Sequence, residues 1–101
     1  MDAHLLDLSS TGARIEHHNL LRPGMLCALE LPPSVGPLSL SVRVVRSAVA
    51  GTKDTPAGER LLCYESGLAF VDLTPDQQAA LDSILGRLAP DGRLGDGRLV
   101  L

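Results

Sequence analysis

Aromatic residues are nearly absent from this 101-residue chain, which has one Phe, one Tyr and no Trp. Proteins that bind single-stranded nucleic acids stack bases on aromatic side chains, and this chain has almost none to offer. Basic residues are not in excess either, because nine Lys and Arg stand against twelve Asp and Glu, for a net charge of −3. Nucleic-acid modules usually present a basic face. The composition therefore argues against a nucleic-acid partner.

Long apolar runs and a signal peptide are also missing. No stretch approaches the ~20 apolar residues that span a bilayer, and the N-terminus lacks a basic-then-apolar pattern, so we expect a cytoplasmic protein without membrane contact. Cys27 and Cys63 have no C-x-x-C spacing and lie in apolar strand patterns, which predicts buried, reduced thiols.

Signatures of metal binding and catalysis are absent as well. The histidines and cysteines fit no common zinc pattern. Adjacent His17 and His18 would point to opposite sides of a strand, so we expect surface or turn histidines. No G-x-S-x-G elbow occurs, and the carboxylates are spread along the chain. We expect no metal, no cofactor and no enzymatic activity.

Apolar residues that alternate with polar ones predict one domain built mainly from β-strands. Strands are expected over residues 3–8, 13–16, 25–31 and 38–49, and over a last strand, 60–71, that is interrupted at Ser66-Gly67. Val45 falls out of phase with the inward-facing Val44, which indicates either a bulge or burial on both sides. The polar residues 51–59 predict a mobile hairpin tip.

A helix is predicted after the strands. Thr74 is an N-cap, Pro75 follows it, and Gln77 completes a capping box. Four apolar residues at i, i+3, i+4 and i+7 then form one stripe, which should run to about Arg87 and close one mouth of a barrel. Residues 89–101 are rich in Gly and charge, so we expect a flexible tail. Residues 99–101 could dock as a short strand, but fraying is the preferred expectation.

The residues most informative about function are Asp7-Leu8-Ser9-Ser10-Thr11-Gly12, a polar turn between two apolar runs. Asp and Ser side chains bond nearby backbone N–H groups and tighten a turn. Gly12 can take a positive φ at no steric cost. These properties alone indicate a strand–turn–strand corner.

The same turn resembles the Asp/Asn-x-Ser-x-x-Gly signature of PilZ domains, and residues 67–73 resemble the late strand that leads into their closing helix. The resemblance covers about residues 3–88. It implies a mainly all-β fold, a small six-stranded Greek-key barrel with one C-terminal α-helix, in a domain of residues 1–88 followed by the tail, 89–101. PilZ domains are bacterial signalling domains, and many bind cyclic di-GMP. By resemblance, Asp7, Ser9, Gly12 and Arg14 would line that ligand site.

One feature of cyclic di-GMP-binding members is missing. They carry an Arg-x-x-x-Arg motif upstream of the turn, and here none of the six residues before Asp7 is Arg or Lys. Three explanations are open: the domain has lost the ligand and kept the fold, the arginines lie upstream of this chain, or other basic residues substitute. Arg43 and Arg46 are the only close pair, and we interpret them as exposed strand residues. We prefer the first explanation, with an unrelated small barrel as a further alternative.

The function expected from these features is a protein-interaction adaptor with weak or no cyclic di-GMP binding. The alternative is a cyclic di-GMP receptor whose arginine motif lies outside this chain. The protein partner is not identified by the sequence. Because the first strand has no lead-in, a sheet edge could be left unpaired and join a second copy as a homodimer.

Overall fold

Alternating apolar and polar residues form strands, and the capping signal at Thr74 begins a helix. The computed structural model describes residues 1–88 and 94–101. The elements in chain order are β1 (Asp2–Leu8), β2 (Gly12–His17), β3 (Leu26–Glu30), β4 (Ser39–Asp54), β5 (Arg60–Phe70), α1 (Pro75–Arg87) and β6 (Asp96–Val100).

The strands close into a barrel in the order β1-β2-β5-β4-β3-β6, and every neighbouring pair is antiparallel. Strands β3, β4 and β5 are consecutive neighbours, and β6 returns through α1 to lie beside β3. This arrangement is a Greek key. The predicted all-β, six-stranded Greek-key barrel with one helix is confirmed.

The C-terminal strand β6 corrects the prediction of a flexible tail. Its backbone pairs with β1 through Ala3↔Gly97 and with β3 through Leu29↔Leu99. Leu99 is fully buried, and a Cβ at Gly97 would lie 2.4 Å from the Glu30 carbonyl oxygen, so only glycine fits there. The tail prediction is therefore wrong for residues 96–100, while residues 89–93 lie outside the described part. Because β6 pairs with β1, the edge of the first strand that was expected to be unpaired has a neighbouring strand.

The core is aliphatic, as the scarcity of aromatic residues requires. Ile15, Leu29 and Val42 pack inside the barrel, and α1 adds Leu81 and Ile84 to the same cluster.

The cap and the length of α1 agree with the sequence. The Thr74 hydroxyl accepts a hydrogen bond from the Gln77 N–H at 3.1 Å, and the Thr74 N–H donates to Gln77 Oε1 at 3.0 Å. This is the predicted capping box. At the barrel, Gln77 Nε2 donates to the Ser39 carbonyl oxygen at 3.3 Å. With 13 residues, α1 is too short to cross a bilayer, and no other helix in the described ranges qualifies.

The β4–β5 hairpin is longer than predicted. Strand β4 continues through residues 51–54, which the sequence placed in a loop, and the turn is confined to residues 55–59. Strand β5 runs through Ser66-Gly67 without the predicted interruption. The pairing register shifts between Val44 and Arg46, which confirms a bulge at Val45. Strand β3 pairs with β4 as far as Arg43, and Val44 still bonds to the backbone of Gly24 and Met25. Among the described residues, β4 beyond Val44 has β5 as its single neighbouring strand.

His17 is the last residue of β2 and lies in the interior, not at the predicted surface or turn. Its side chain is 2% exposed, and its Nε2 shares a 2.7 Å hydrogen bond with the Ser66 hydroxyl. The Ser66 hydroxyl in turn donates to Ser47 Oγ at 2.9 Å. Burial lowers the pKa of His17, since desolvation disfavours the imidazolium. His18 is exposed and points the other way, as alternation requires.

Candidate ligand site at the first turn

The turn between β1 and β2 is held together by the hydroxyl of Ser9. Ser9 Oγ accepts hydrogen bonds from the backbone N–H groups of Thr11 at 3.3 Å and of Gly12 at 3.2 Å. The Ser9 O–H donates to the Gly12 carbonyl oxygen at 3.2 Å. The Ser9 N–H also donates to that carbonyl at 2.9 Å. The side chain thus fixes the turn by the mechanism that the sequence suggested.

Gly12 is required for a different reason from the one predicted. It does not have a positive φ, unlike Gly24 and Gly58. Instead, a Cβ at Gly12 would lie 2.1 Å from the Leu68 carbonyl oxygen of β5. Glycine therefore allows β2 to approach β5 closely, and the turn is anchored there because the Phe70 N–H donates to the Thr11 carbonyl at 3.0 Å.

A second bulge places Asp7 opposite Arg14. The β1–β2 register shifts between Leu5 and Asp7, so Asp7 pairs with Arg14 while Leu5 pairs with Ile15. Directly opposed residues of antiparallel strands project from the same face. Both side chains are exposed, on the outer face of the barrel.

All four predicted site residues border one open depression with a volume of about 390 Å³. The turn contributes Asp7, Ser9 and Gly12 to its wall, and β2 contributes Arg14. The floor comes from β5 at residues 67–69, and β4 closes the far side with Val45 and Arg46. The structure therefore brings the predicted residues together on one surface.

The sequence suggested Arg46 only together with Arg43, as a basic pair that could substitute for the missing arginines, and both were interpreted as exposed strand residues. On regular alternation Arg46 would face the core together with Val44, but the bulge at Val45 returns it to the outer face. It pairs with Gly67, which is also the partner of Arg14. The off-phase Val45 was the signal that could have identified Arg46. Arg43 is exposed as predicted and does not border the depression.

The charges around the depression are mixed. Arg14 Nη1 lies 3.1 Å from Glu65 Oε1, in an exposed ion pair. Among the described residues, Arg46 has no carboxylate within ion-pair distance. Asp7 lies on the rim and Glu65 is paired with Arg14, so these two carboxylates offset much of the positive charge that the two arginines would present to a dianion.

The remaining candidate groups form no second site. In residues 1–88 and 94–101, no three His, Cys, Asp or Glu side chains are placed to hold a metal ion. The cysteines are free: Cys63 is buried and Cys27 partly buried, and burial raises the pKa of the Cys27 thiol.

The chain matches one known protein family. The family model described as PilZ domain matches residues 1–87, which is most of the chain. A search of curated proteins found no match, and a search of solved structures found none.

Proposed function

This chain belongs to the PilZ domain family, whose members are cyclic di-GMP-related signalling domains, and we propose that it is a non-enzymatic adaptor that binds cyclic di-GMP weakly or not at all. We place it in the cytoplasm. Its output is contact with a protein partner.

The chemistry of the turn supports the proposal that cyclic di-GMP binds weakly or not at all. A cyclic dinucleotide presents two phosphates, for which arginine is the best side-chain partner. No arginine precedes Asp7 in this chain. The Arg14 guanidinium is already paired with the Glu65 carboxylate, and the negative charge of Asp7 repels an incoming anion. These features favour weak binding.

The observation that carries the adaptor role is the free part of the β4–β5 hairpin. Within residues 1–88 and 94–101, the part of β4 beyond Val45 has hydrogen-bonding groups on one side with no strand beside them. Val49 is 59% exposed and Leu62 is 49% exposed on the same hairpin. An open strand edge with apolar side chains is suited to pairing with a strand of another chain.

The adaptor proposal is tested by isothermal titration of the chain with cyclic di-GMP. We expect a dissociation constant on the order of 0.1–1 mM or weaker, which corresponds to a binding free energy of about −4 to −5.5 kcal/mol. Low-micromolar binding that is lost in Ser9→Ala would overturn the proposal. Sedimentation of the wild type beside Val49→Lys then tests whether the partner is a second copy. Dimers that dissociate in the variant identify a homodimer through this edge, whereas monomers in both rule out a second copy as the partner.

A receptor role is the second candidate, favoured by the intact turn and its depression. In this case the Arg-x-x-x-Arg motif lies outside the present chain, and the turn is the other half of a complete site. The same titration on a longer chain, if the gene encodes one, separates the two candidates. At least tenfold tighter binding supports the receptor, and unchanged weak binding supports the adaptor.

A further inference from the structure

We propose that Arg14 and Arg46 form a phosphate subsite across Gly67, a subsite that takes a phosphate group of a nucleotide ligand without any upstream arginine. This inference rests on the proposed function, in which the turn faces the ligand. It names the residues that would contact the ligand and the chemical class that they recognise. It differs from the family signature because Arg46 comes from β4.

The cross-strand register places Arg14 and Arg46 on either side of Gly67. Arg14 of β2 and Arg46 of β4 both pair with Gly67 of β5, one from each side. Neighbouring strands lie about 4.8 Å apart, so the two arginine backbones are roughly 10 Å apart with the glycine between them. Directly opposed residues project to the same face, and this face is the solvent-exposed one. The two arginine side chains thus leave the sheet on either side of Gly67.

Glycine at position 67 leaves the space between β2 and β4 open. A Cβ at Gly67 would lie 3.5 Å from Arg46 Cγ and 3.6 Å from Arg46 Nε. The Arg46 side chain therefore leans over Gly67, towards β2 and Arg14. A larger residue at position 67 would occupy the space beside the Arg46 side chain, between β4 and β2.

The bulge at Val45 turns the Arg46 side chain to the outer face. The bulge that exposes Arg46 interrupts the regular pairing of β4 with β5. Bulges are frequent where a side chain has to be redirected beside a functional site. The Arg46 guanidinium has no carboxylate partner among the described residues, unlike that of Arg14. A group with five N–H donors and no charged partner can bind the oxygens of a phosphate in a bidentate manner.

The experiment is a titration of the whole chain with cyclic di-GMP, and separately with GMP and inorganic phosphate, followed by amide chemical shifts so that millimolar affinities are measurable. Arg46→Gln should weaken binding of the nucleotides about tenfold, since it removes a charge-assisted hydrogen bond. Arg43→Gln is the matched control. It removes the same charge three residues earlier on the same strand, from an exposed residue that does not border the depression, and should change affinity less than twofold.

Two further variants make the geometry testable. Glu65→Gln releases Arg14 from its 3.1 Å ion pair, so it should strengthen binding. Gly67→Val fills the gap with a residue that suits a strand, and it should abolish binding while the chain stays folded, since the position has an ordinary strand backbone and a Cβ there makes only van der Waals contacts. Inorganic phosphate that competes with the nucleotide would show that the phosphate alone is recognised. A nucleotide that binds without such competition, at a site insensitive to Arg46, would overturn the subsite.

The outcomes separate this inference from the adaptor proposal. Weak binding that is lost in Arg46→Gln and kept in Arg43→Gln supports both. Micromolar binding with the same dependence on Arg46 supports the subsite and overturns the adaptor. No binding at millimolar ligand overturns the subsite and leaves the adaptor intact. Equal affinities of the two arginine variants also overturn the subsite.

Discussion

Replacing Leu99 by Ala tests whether the C-terminal strand is part of the barrel. Leu99 is 0% exposed, between β1 and β3, in the same cluster as Leu29. Truncating a fully buried Leu costs about 2–5 kcal/mol, because transfer energy is lost and a cavity remains. A domain of this size has a total stability of only about 5–15 kcal/mol. A loss near 3 kcal/mol should lower the melting temperature by roughly 12–24 °C.

The matched control is the neighbouring residue Val100, which is 45% exposed in the same strand. Val100→Ala should cost less than about 1 kcal/mol, as surface substitutions usually do. Both variants are compared with the wild type by urea denaturation followed by circular dichroism. If Leu99→Ala were as stable as Val100→Ala, residues 96–100 would be a tail and the closed barrel would be wrong.

Three further expectations concern the turn, the helix and the buried histidine. Gly12→Ala should cost at least about 2 kcal/mol in denaturation, because the new Cβ would lie 2.1 Å from the Leu68 carbonyl; wild-type stability would contradict this close approach. Thr74→Ala should cost about 1 kcal/mol by loss of the cap, whereas Ser83→Ala on the exposed side of α1 should cost nothing; equal effects would argue against the capping box. Burial lowers the pKa of His17 from 6.5, so the unfolded chain binds more protons and stability should fall as the pH drops below about 6.5 towards the lowered value. A His17→Gln variant with the same slope in this window would show that another group titrates.

The fold was predictable where the sequence pattern is regular and long. The alternating pattern predicted β1 to β4 because it repeats over several strand periods. The capping box at Thr74 predicted the start of α1, and the apolar stripe after it predicted its length. The strand β6 was missed since it has five residues in a Gly-rich segment, and its stability depends on contacts with β1 and β3 that are distant in sequence. The length of the hairpin was missed because residues 51–54 are polar on both faces.

The candidate site was predictable in part. The turn residues are consecutive, so their proximity follows from the sequence alone. Arg46 needed the register of three strands and the position of a bulge, which only tertiary pairing fixes. The role of Gly12 was also tertiary, because the Leu68 carbonyl that excludes a side chain belongs to a strand more than fifty residues later.

The most direct test of the ligand surface is a map of amide shifts on addition of millimolar cyclic di-GMP. We expect the largest changes at Ser9 to Arg14, at Arg46 and at Gly67, on the outer face of the barrel, with small changes along residues 50–60 of the hairpin. Shifts concentrated on the hairpin, or no shifts at all, would contradict the account of the turn and its arginine pair as a ligand site.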